Sequence, residues 1–155
     1  MKTFELISRL KISRNPEEVF PFFADASNLN LLTPEWLSFL IITPPPIMME
    51  ERREIDYRLR LHGIPLRWRS RIKVWDPPNL FIDEQVRGPF RYWIHEHHFR
   101  GVGQSTIIED RVSYGVWGGS IIDRFIVEPD LRRIFEYRCA RLSNRFPDMT
   151  IEPAR

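Results

Sequence analysis

Apolar and polar residues alternate along much of this chain, and the places where the alternation stops divide it into elements. From Thr3 to Ser13 the apolar positions Phe4, Leu6, Leu10 and Ile12 share one parity, which predicts a first β-strand. The next residues carry the marks of a helix start. Asn15 can cap, Pro16 suits the first helical position, and Glu17 and Glu18 suit the positive end of a helix dipole. A short helix is predicted over Pro16 to Ala24, with Val19, Phe20, Phe22 and Phe23 as its apolar set. A second short helical turn, Ser27 to Leu32, should stop at Thr33-Pro34, because the residue before a proline avoids the helical region. Trp36 to Ile42 reads as a buried or edge strand, ended by the run Pro44-Pro45-Pro46.

The pattern is sharpest around His62-Gly63. Ile55, Tyr57, Leu59 and Leu61 alternate before it, and Ile64, Leu66, Trp68, Ile72 and Val74 alternate after it. A two-residue turn there sets Leu61 against Ile64, Leu59 against Leu66 and Tyr57 against Trp68. The opposite face then pairs Asp56 with Arg69 and Glu54 with Arg71. Apolar and charged registers agree, so the hairpin is predicted in detail. Asp76 to Asn79 should turn into the stretch Phe81 to Phe99, in which Asp83 and Gln85 share a face with Phe81. Gly88-Pro89 signals the next turn, and Trp93, His95, His97 and Phe99 share one parity beyond it.

A turn at Arg100 to Gly103 leads into a last strand, Gln104 to Tyr114. If Phe99 pairs near Gln104, then Thr106, Ile108, Asp110, Val112 and Tyr114 lie on the face of Trp93, His95 and His97. The connections are too short for crossover helices, so the sheet should be an antiparallel meander. After Gly118-Gly119 the spacing turns helical: Ile121, Ile122, Phe125 and Ile126, then Leu131, Ile134, Phe135 and Leu142. Pro129 predicts a break or kink near Val127 to Pro129, with the helix resuming from Asp130 to about Arg145. Arg138 falls on the apolar stripe of that helix, and a buried arginine requires an acceptor, so a carboxylate is expected beneath it. Residues 1–146 form one predicted domain of α+β class, and the tail 147–155, with Pro147 and Pro153, is predicted to be irregular.

A length of 155 residues with 43% hydrophobic and 28% charged side chains fits one ordinary globular domain. The charge is nearly balanced at +2, which gives little reason to expect nucleic acid as a partner. No stretch has the length of a membrane span, and charges interrupt the opening MKTFELISRLKI where a leader needs an apolar run, so a cytoplasmic location is expected. The one cysteine, Cys139, excludes an internal disulfide and a cysteine zinc cluster. The row Arg67, Arg69, Arg71 and Lys73 lies across from Glu54 and Asp56, and an ion-pair ladder explains it better than a phosphate site. Composition does not set the oligomeric state.

Chemistry is concentrated in Phe81 to Phe99, where acid, amide and imidazole groups stand among aromatics. His95 and His97 present two imidazoles on one side, and Asp83 or Asp110 could orient them for general acid–base work. The same His-x-His could bind a metal, but without a third ligand at a defined spacing it specifies none, and no metal or cofactor is expected.

The order strand, two short helices, antiparallel meander and long final helix resembles the helix-grip fold of the START, Bet v 1-like and polyketide cyclase/dehydrase proteins. Pro16-Glu-Glu-Val-Phe, Asn28-Leu-Asn-Leu-Leu-Thr-Pro, Gln85-Val-Arg-Gly-Pro-Phe, Trp93-Ile-His-Glu-His-His-Phe and Ile134-Phe-Glu-Tyr-Arg are similar to the coenzyme Q-binding START branch, particularly its small bacterial stand-alone members. The resemblance covers nearly the whole chain. It implies a curved sheet gripping the long helix, a cavity between them, and a hydrophobic small molecule such as a lipid, quinone or polyketide as partner.

One helix cannot fill the concave side of a strongly bent sheet, and a mostly apolar cavity with a few polar groups is the usual small-molecule site. The predicted walls are Tyr57, Trp68, Phe81, Trp93, Phe99, Ile108, Val112 and Tyr114, with Phe125, Leu131, Phe135 and the early helices as lids. The predicted polar handles are Asp83, Gln85, His95, His97, Asp110 and Arg138. Binding or carriage of a ligand is the leading expectation. A cyclase or dehydratase using His95, His97, Asp83 and Asp110 is a second, and a structural or partner-binding module with a filled core is a third.

Overall fold

The computed structural model describes residues 2–152, which form an α+β fold: one curved antiparallel sheet against a long C-terminal helix. The strands are β1 (Phe4–Ile12), β2 (Leu40–Ile41), β3 (Glu54–Leu61), β4 (Ile64–Asp76), β5 (Leu80–Arg87), β6 (Tyr92–Val102), β7 (Ser105–Gly115) and β8 (Thr150–Glu152). Their order across the sheet is β2-β3-β4-β5-β6-β7-β1-β8. The helices are α1 (Pro16–Phe23), α2 (Leu29–Leu32), α3 (Gly119–Ile122) and α4 (Glu128–Arg145).

The local signals act as their chemistry requires. The Asn15 side chain accepts from the Glu18 N–H at 3.1 Å, and Pro16 opens α1. At the β3–β4 turn both His62 and Gly63 have positive φ, 50° and 78°, the geometry whose twist matches an antiparallel hairpin. Every predicted pair is present, from Leu61–Ile64 through Tyr57–Trp68 to Glu54–Arg71. On the outer face Arg69 bonds Asp56 at 2.7 Å. Arg71 instead bonds Glu84 of β5 at 2.9 Å and stays 3.9 Å from Glu54.

Several expectations are corrected. Trp36 to Ile42 is mostly not a strand: Glu35–Leu37 is a 3₁₀ turn and only Leu40–Ile41 pairs, at the sheet edge. A bulge between Ile72 and Val74 inserts Lys73 and flips the pleat, so Trp75, not Val74, joins the core. Phe99 pairs with Ile108 instead of a residue near Gln104. That offset is even, so the predicted shared face of β6 and β7 is preserved. The interruption before α4 is a π turn, Asp123–Val127, and Pro129 is taken into the first turn of α4. The extra residue shifts the apolar phase: Phe125, expected as a lid, is 70% exposed, while Val127 packs inward and Ile126, 44% exposed, borders the cavity. Within the tail expected to be irregular, Thr150–Glu152 pairs with β1, while Pro153 to Arg155 lie outside the described residues.

The core has two buried clusters: Val112, Tyr114, Val116 and Leu131 pack with Trp93 and Phe135 in one, and α1 builds the other. Leu10, Ile12, Ile108 and Leu142 pack there with Phe20, Phe23, Phe81, Phe99 and Phe146. The Phe20 ring lies edge-on to Phe81 and Phe99, and Phe23 stacks on Phe146. Thus α1 plugs the concave face beneath the end of α4, while the end under β3 and β4 is left unfilled between the rings of Phe39, Phe90 and Phe135 that line it.

Candidate functional site

In that unfilled end lies a cavity of about 320 Å³, bounded by β3 to β6, α2, the π turn and α4. Its aromatic wall comes from alternate positions of the strands: Tyr57, Trp68, Phe81 and Trp93, with Phe135 above them from α4. Trp93 lies 5.3 Å from Trp68 and 4.8 Å from Phe90, ring centre to ring centre. Ser70, 2% exposed, anchors two of these rings by accepting from Trp68 Nε1 at 3.1 Å and from the Tyr57 hydroxyl. Burial pushes the Tyr57 phenol above its ordinary range, and the nearby Asp83 charge adds to that, so it stays protonated.

The polar part of the wall is a network centred on Asp110 of β7. His95 Nε2 donates to Asp110 Oδ1 at 3.0 Å, and His97 Nε2 donates to Asp83 Oδ2 at 2.8 Å. His97 Nδ1 lies 3.0 Å from the same Asp110 oxygen but too obliquely for a hydrogen bond. Its contact there is one of charge. Arg138 reaches down from α4 to within 3.8 Å of Asp110 Oδ2, the carboxylate predicted under the helix. The imidazoles stack on each other at 3.7 Å, and His97 stacks on Phe81 at 4.1 Å.

Burial and pairing compete at each of these groups. Burial raises the Asp110 carboxyl, but the Arg138 charge and the two imidazole contacts outweigh it and hold it well below the usual range. Asp83 is also raised by burial and brought below its ordinary value by His97. For His97, burial disfavours the cation, yet the contacts with Asp110 and Asp83 prevail and its pKa rises. For His95, burial and the neighbouring His97 charge prevail over Asp110, and its pKa falls. The network therefore favours the cation at His97, between two carboxylates, and the neutral form at His95 beside it. Because Nε2 of His95 carries the proton given to Asp110, its Nδ1 is a free acceptor on a residue that lines the cavity.

Not every predicted residue reaches the cavity. Asp83, His95, His97 and Arg138 line it with the five aromatics named above. Gln85 does not: its amide bonds the Phe90 carbonyl and N–H at 2.9 and 3.1 Å and shapes the β5–β6 turn. An added Cβ on Gly88 would meet that amide at 2.4 Å and would have to displace it from its bonds to Phe90. Phe99 and Ile108 belong to the filled core, and Val112 packs with Tyr114, whose hydroxyl donates to Asp123 at 2.8 Å. Asp110 stands behind the imidazoles at 2% exposure. Leu32 lines the cavity from α2, one of the early helices expected as lids; Leu37, Phe39, Phe90 and Ser70 line it without having been predicted, three of them from a short turn and loops where no periodicity marks a face.

Asp83, His95 and His97 are also a set of candidate metal donors, with ligand atoms within 4.8 Å of one another. A metal on Nε2 of both imidazoles would have to displace their bonds to Asp110 and Asp83, close to the fixed charge of Arg138. The donor set therefore fits charge balancing better than metal coordination. Cys139 is inert here, because burial raises its thiol pKa.

The network should be visible in stability. His97→Phe keeps the stack on Phe81 but strips the cation from two buried carboxylates, and should lower the unfolding free energy by about 3 kcal/mol at pH 6. A raised folded-state pKa contributes stability that is complete below the unfolded pKa of about 6.5 and is lost as pH rises through the folded value. The deficit measured by urea denaturation should therefore shrink toward alkaline pH. A deficit that grows there would contradict this charge assignment.

A family model described as polyketide cyclase/dehydrase and lipid transport matches residues 12–142. No curated protein matches the chain. Among solved structures, the protein TTHA0849 from Thermus thermophilus is similar at TM-score 0.70 and 18% identity, covering 92% of this chain and 97% of that one. The ginseng major latex-like protein 151 of Panax ginseng is similar at TM-score 0.67 and 12% identity, covering 93% and 97%. Norcoclaurine synthase from Thalictrum flavum, solved with dopamine and hydroxybenzaldehyde, is similar at TM-score 0.65 and 15% identity, covering 92% and 88%. At these identities the likeness is one of fold, while the family match covers most of the sequence. The chain belongs to the polyketide cyclase/dehydrase and lipid transport family.

Proposed function

We propose that this protein binds or carries a hydrophobic small molecule in the cavity between its sheet and α4. The observation that carries this reading is the cavity itself. It is an aromatic-walled space of about 320 Å³ with its few polar groups gathered at one side, within the size range of small-molecule sites. A filled core, the third expectation from sequence, has no support in this geometry. Apolar walls supply non-directional affinity, and the polar side fixes orientation. The Thalictrum protein's aromatic ligands suit a site of this construction, and an aromatic or polyketide-like guest is the class proposed. No helix among the described residues is long and apolar enough to cross a membrane.

Acid–base catalysis is a second reading, favoured by the His95–Asp110 dyad. With its Nε2–H held by Asp110, His95 has the Nδ1 lone pair free to take a proton α to a carbonyl. The imidazolium so formed would be stabilised by Asp110 and could return the proton to a departing hydroxyl, which leaves as water.

The two readings are tested separately. N-phenyl-1-naphthylamine, an uncharged fluorescent probe, should bind the wild type, and Ile134→Trp, which fills the cavity from α4, should weaken binding at least about tenfold with the far-UV spectrum unchanged. Equal binding by both proteins would place the probe elsewhere and overturn the site. For catalysis, N-acetylcysteamine thioesters of poly-β-keto acids should be turned over by the wild type, and not by His95→Gln, whose probe binding should be intact. Wild-type rates no higher than the spontaneous rate would remove the second reading.

A further inference from the structure

Arg138 is the cation of the site whose hydrogen-bonding capacity is unused. Its guanidinium carries five N–H donors, and none makes a hydrogen bond among the described residues. The approach to Asp110, Nε to Oδ2 at 3.8 Å, is an ion pair beyond hydrogen-bond reach. Nε is fully enclosed, and the terminal nitrogens, equally unpartnered, are not. The side chain is 12% exposed, lines the cavity, and sits over the Phe23 ring at 5.8 Å. A guest that displaces water from the terminal nitrogens must supply an acceptor in its place, because donors left unpaired in a low-dielectric pocket are costly.

The charges in the network decide what kind of acceptor. Asp83 and Asp110 bring two negative charges, and Arg138 and the doubly contacted His97 bring two positive ones. His95 adds none. The other charged groups on the lining supply no spare cation: Asp25 is acidic, and His62 is paired with Asp130 at 2.7 Å. A carboxylate placed on Arg138 would therefore be a third negative charge against two positive ones, beside Asp83 on the same wall. An uncharged oxygen acceptor disturbs no balance.

We propose that Arg138 is the polar anchor of the guest and takes an uncharged carbonyl oxygen, as in a ketone, quinone or polyketide chain, in preference to a carboxylate. This rests on the reading of the cavity as a small-molecule site. Fatty acids and other apolar anions are then poor ligands despite the presence of a buried arginine.

An isosteric series at pH 7 tests it: naphthalene, 2-acetylnaphthalene and 2-naphthoate, each displacing N-phenyl-1-naphthylamine from the intact protein. The ketone should displace the probe at a concentration about tenfold lower than naphthalene does, the low end of what a hydrogen bond to a charged donor contributes. The carboxylate should compete less well than the ketone, and Arg138→Met should abolish the ketone's advantage over naphthalene. A carboxylate that binds more tightly than the ketone, a ketone no better than naphthalene, or an advantage that survives in Arg138→Met would each overturn the proposal. The wild-type ranking decides the matter even if that variant does not fold. Failure of the fluorescent probe itself to bind would instead count against the underlying binding site.

Discussion

One carboxylate holds this structure's polar interior together. Asp110, on the middle of β7, meets two imidazoles from β6 on one oxygen and the guanidinium of α4 on the other. Without those partners a buried carboxylate would take up a proton or water. With them it sets the charge of His97 and the tautomer of His95, and it ties the long helix to the sheet. The capacity left over from these pairings belongs to residues that line the cavity: Nδ1 of His95, the second oxygen of Asp83 and the terminal nitrogens of Arg138. The site's chemistry is thus what remains after the protein has satisfied itself.

Space is apportioned in the same way. The concave face of the sheet is longer than one helix can cover, and α1 occupies one end with Phe20 and Phe23 against Phe81 and Phe99. At the other end Phe39, Phe90 and Phe135 line the space instead of filling it. The rings there, Tyr57, Trp68 and Trp93, are braced from behind by Ser70 and by one another and do not collapse inward. A cavity wall therefore persists where a core would otherwise close. The likeness to ginseng and Thalictrum proteins at 15% identity or less shows that very different sequences build the same fold.

Much of this could be read from the amino acids, for identifiable reasons. The β3–β4 hairpin was legible because two independent patterns, apolar and charged, demanded the same register. A partner for Arg138 could be inferred because a cation on an apolar helix stripe requires one. Face is legible from parity, but depth along the strand is not. Phe99 and Ile108 share a face with His95 and His97, yet they lie further along β6 and β7, under α1, and meet phenyl rings instead of the cavity. The bulge at Lys73 was hidden because Val74 and Trp75 are both apolar, so either parity fits the sequence. The π turn hid Phe125's exposure, since adding one residue per turn rotates every later position. Leu37, Phe39 and Phe90 come from segments without a repeat, and only the folded chain brings them to the wall.

The central claim is that the space under α4 is a receptor and not a packing defect. Native mass spectrometry of gently purified protein, followed by organic extraction of whatever accompanies it, tests this most directly. The account predicts a one-to-one adduct, lost on extraction, whose released molecule is apolar and uncharged and is absent when Ile134→Trp is purified in parallel. The bare chain mass from both proteins, with nothing recovered in the organic phase, would contradict it.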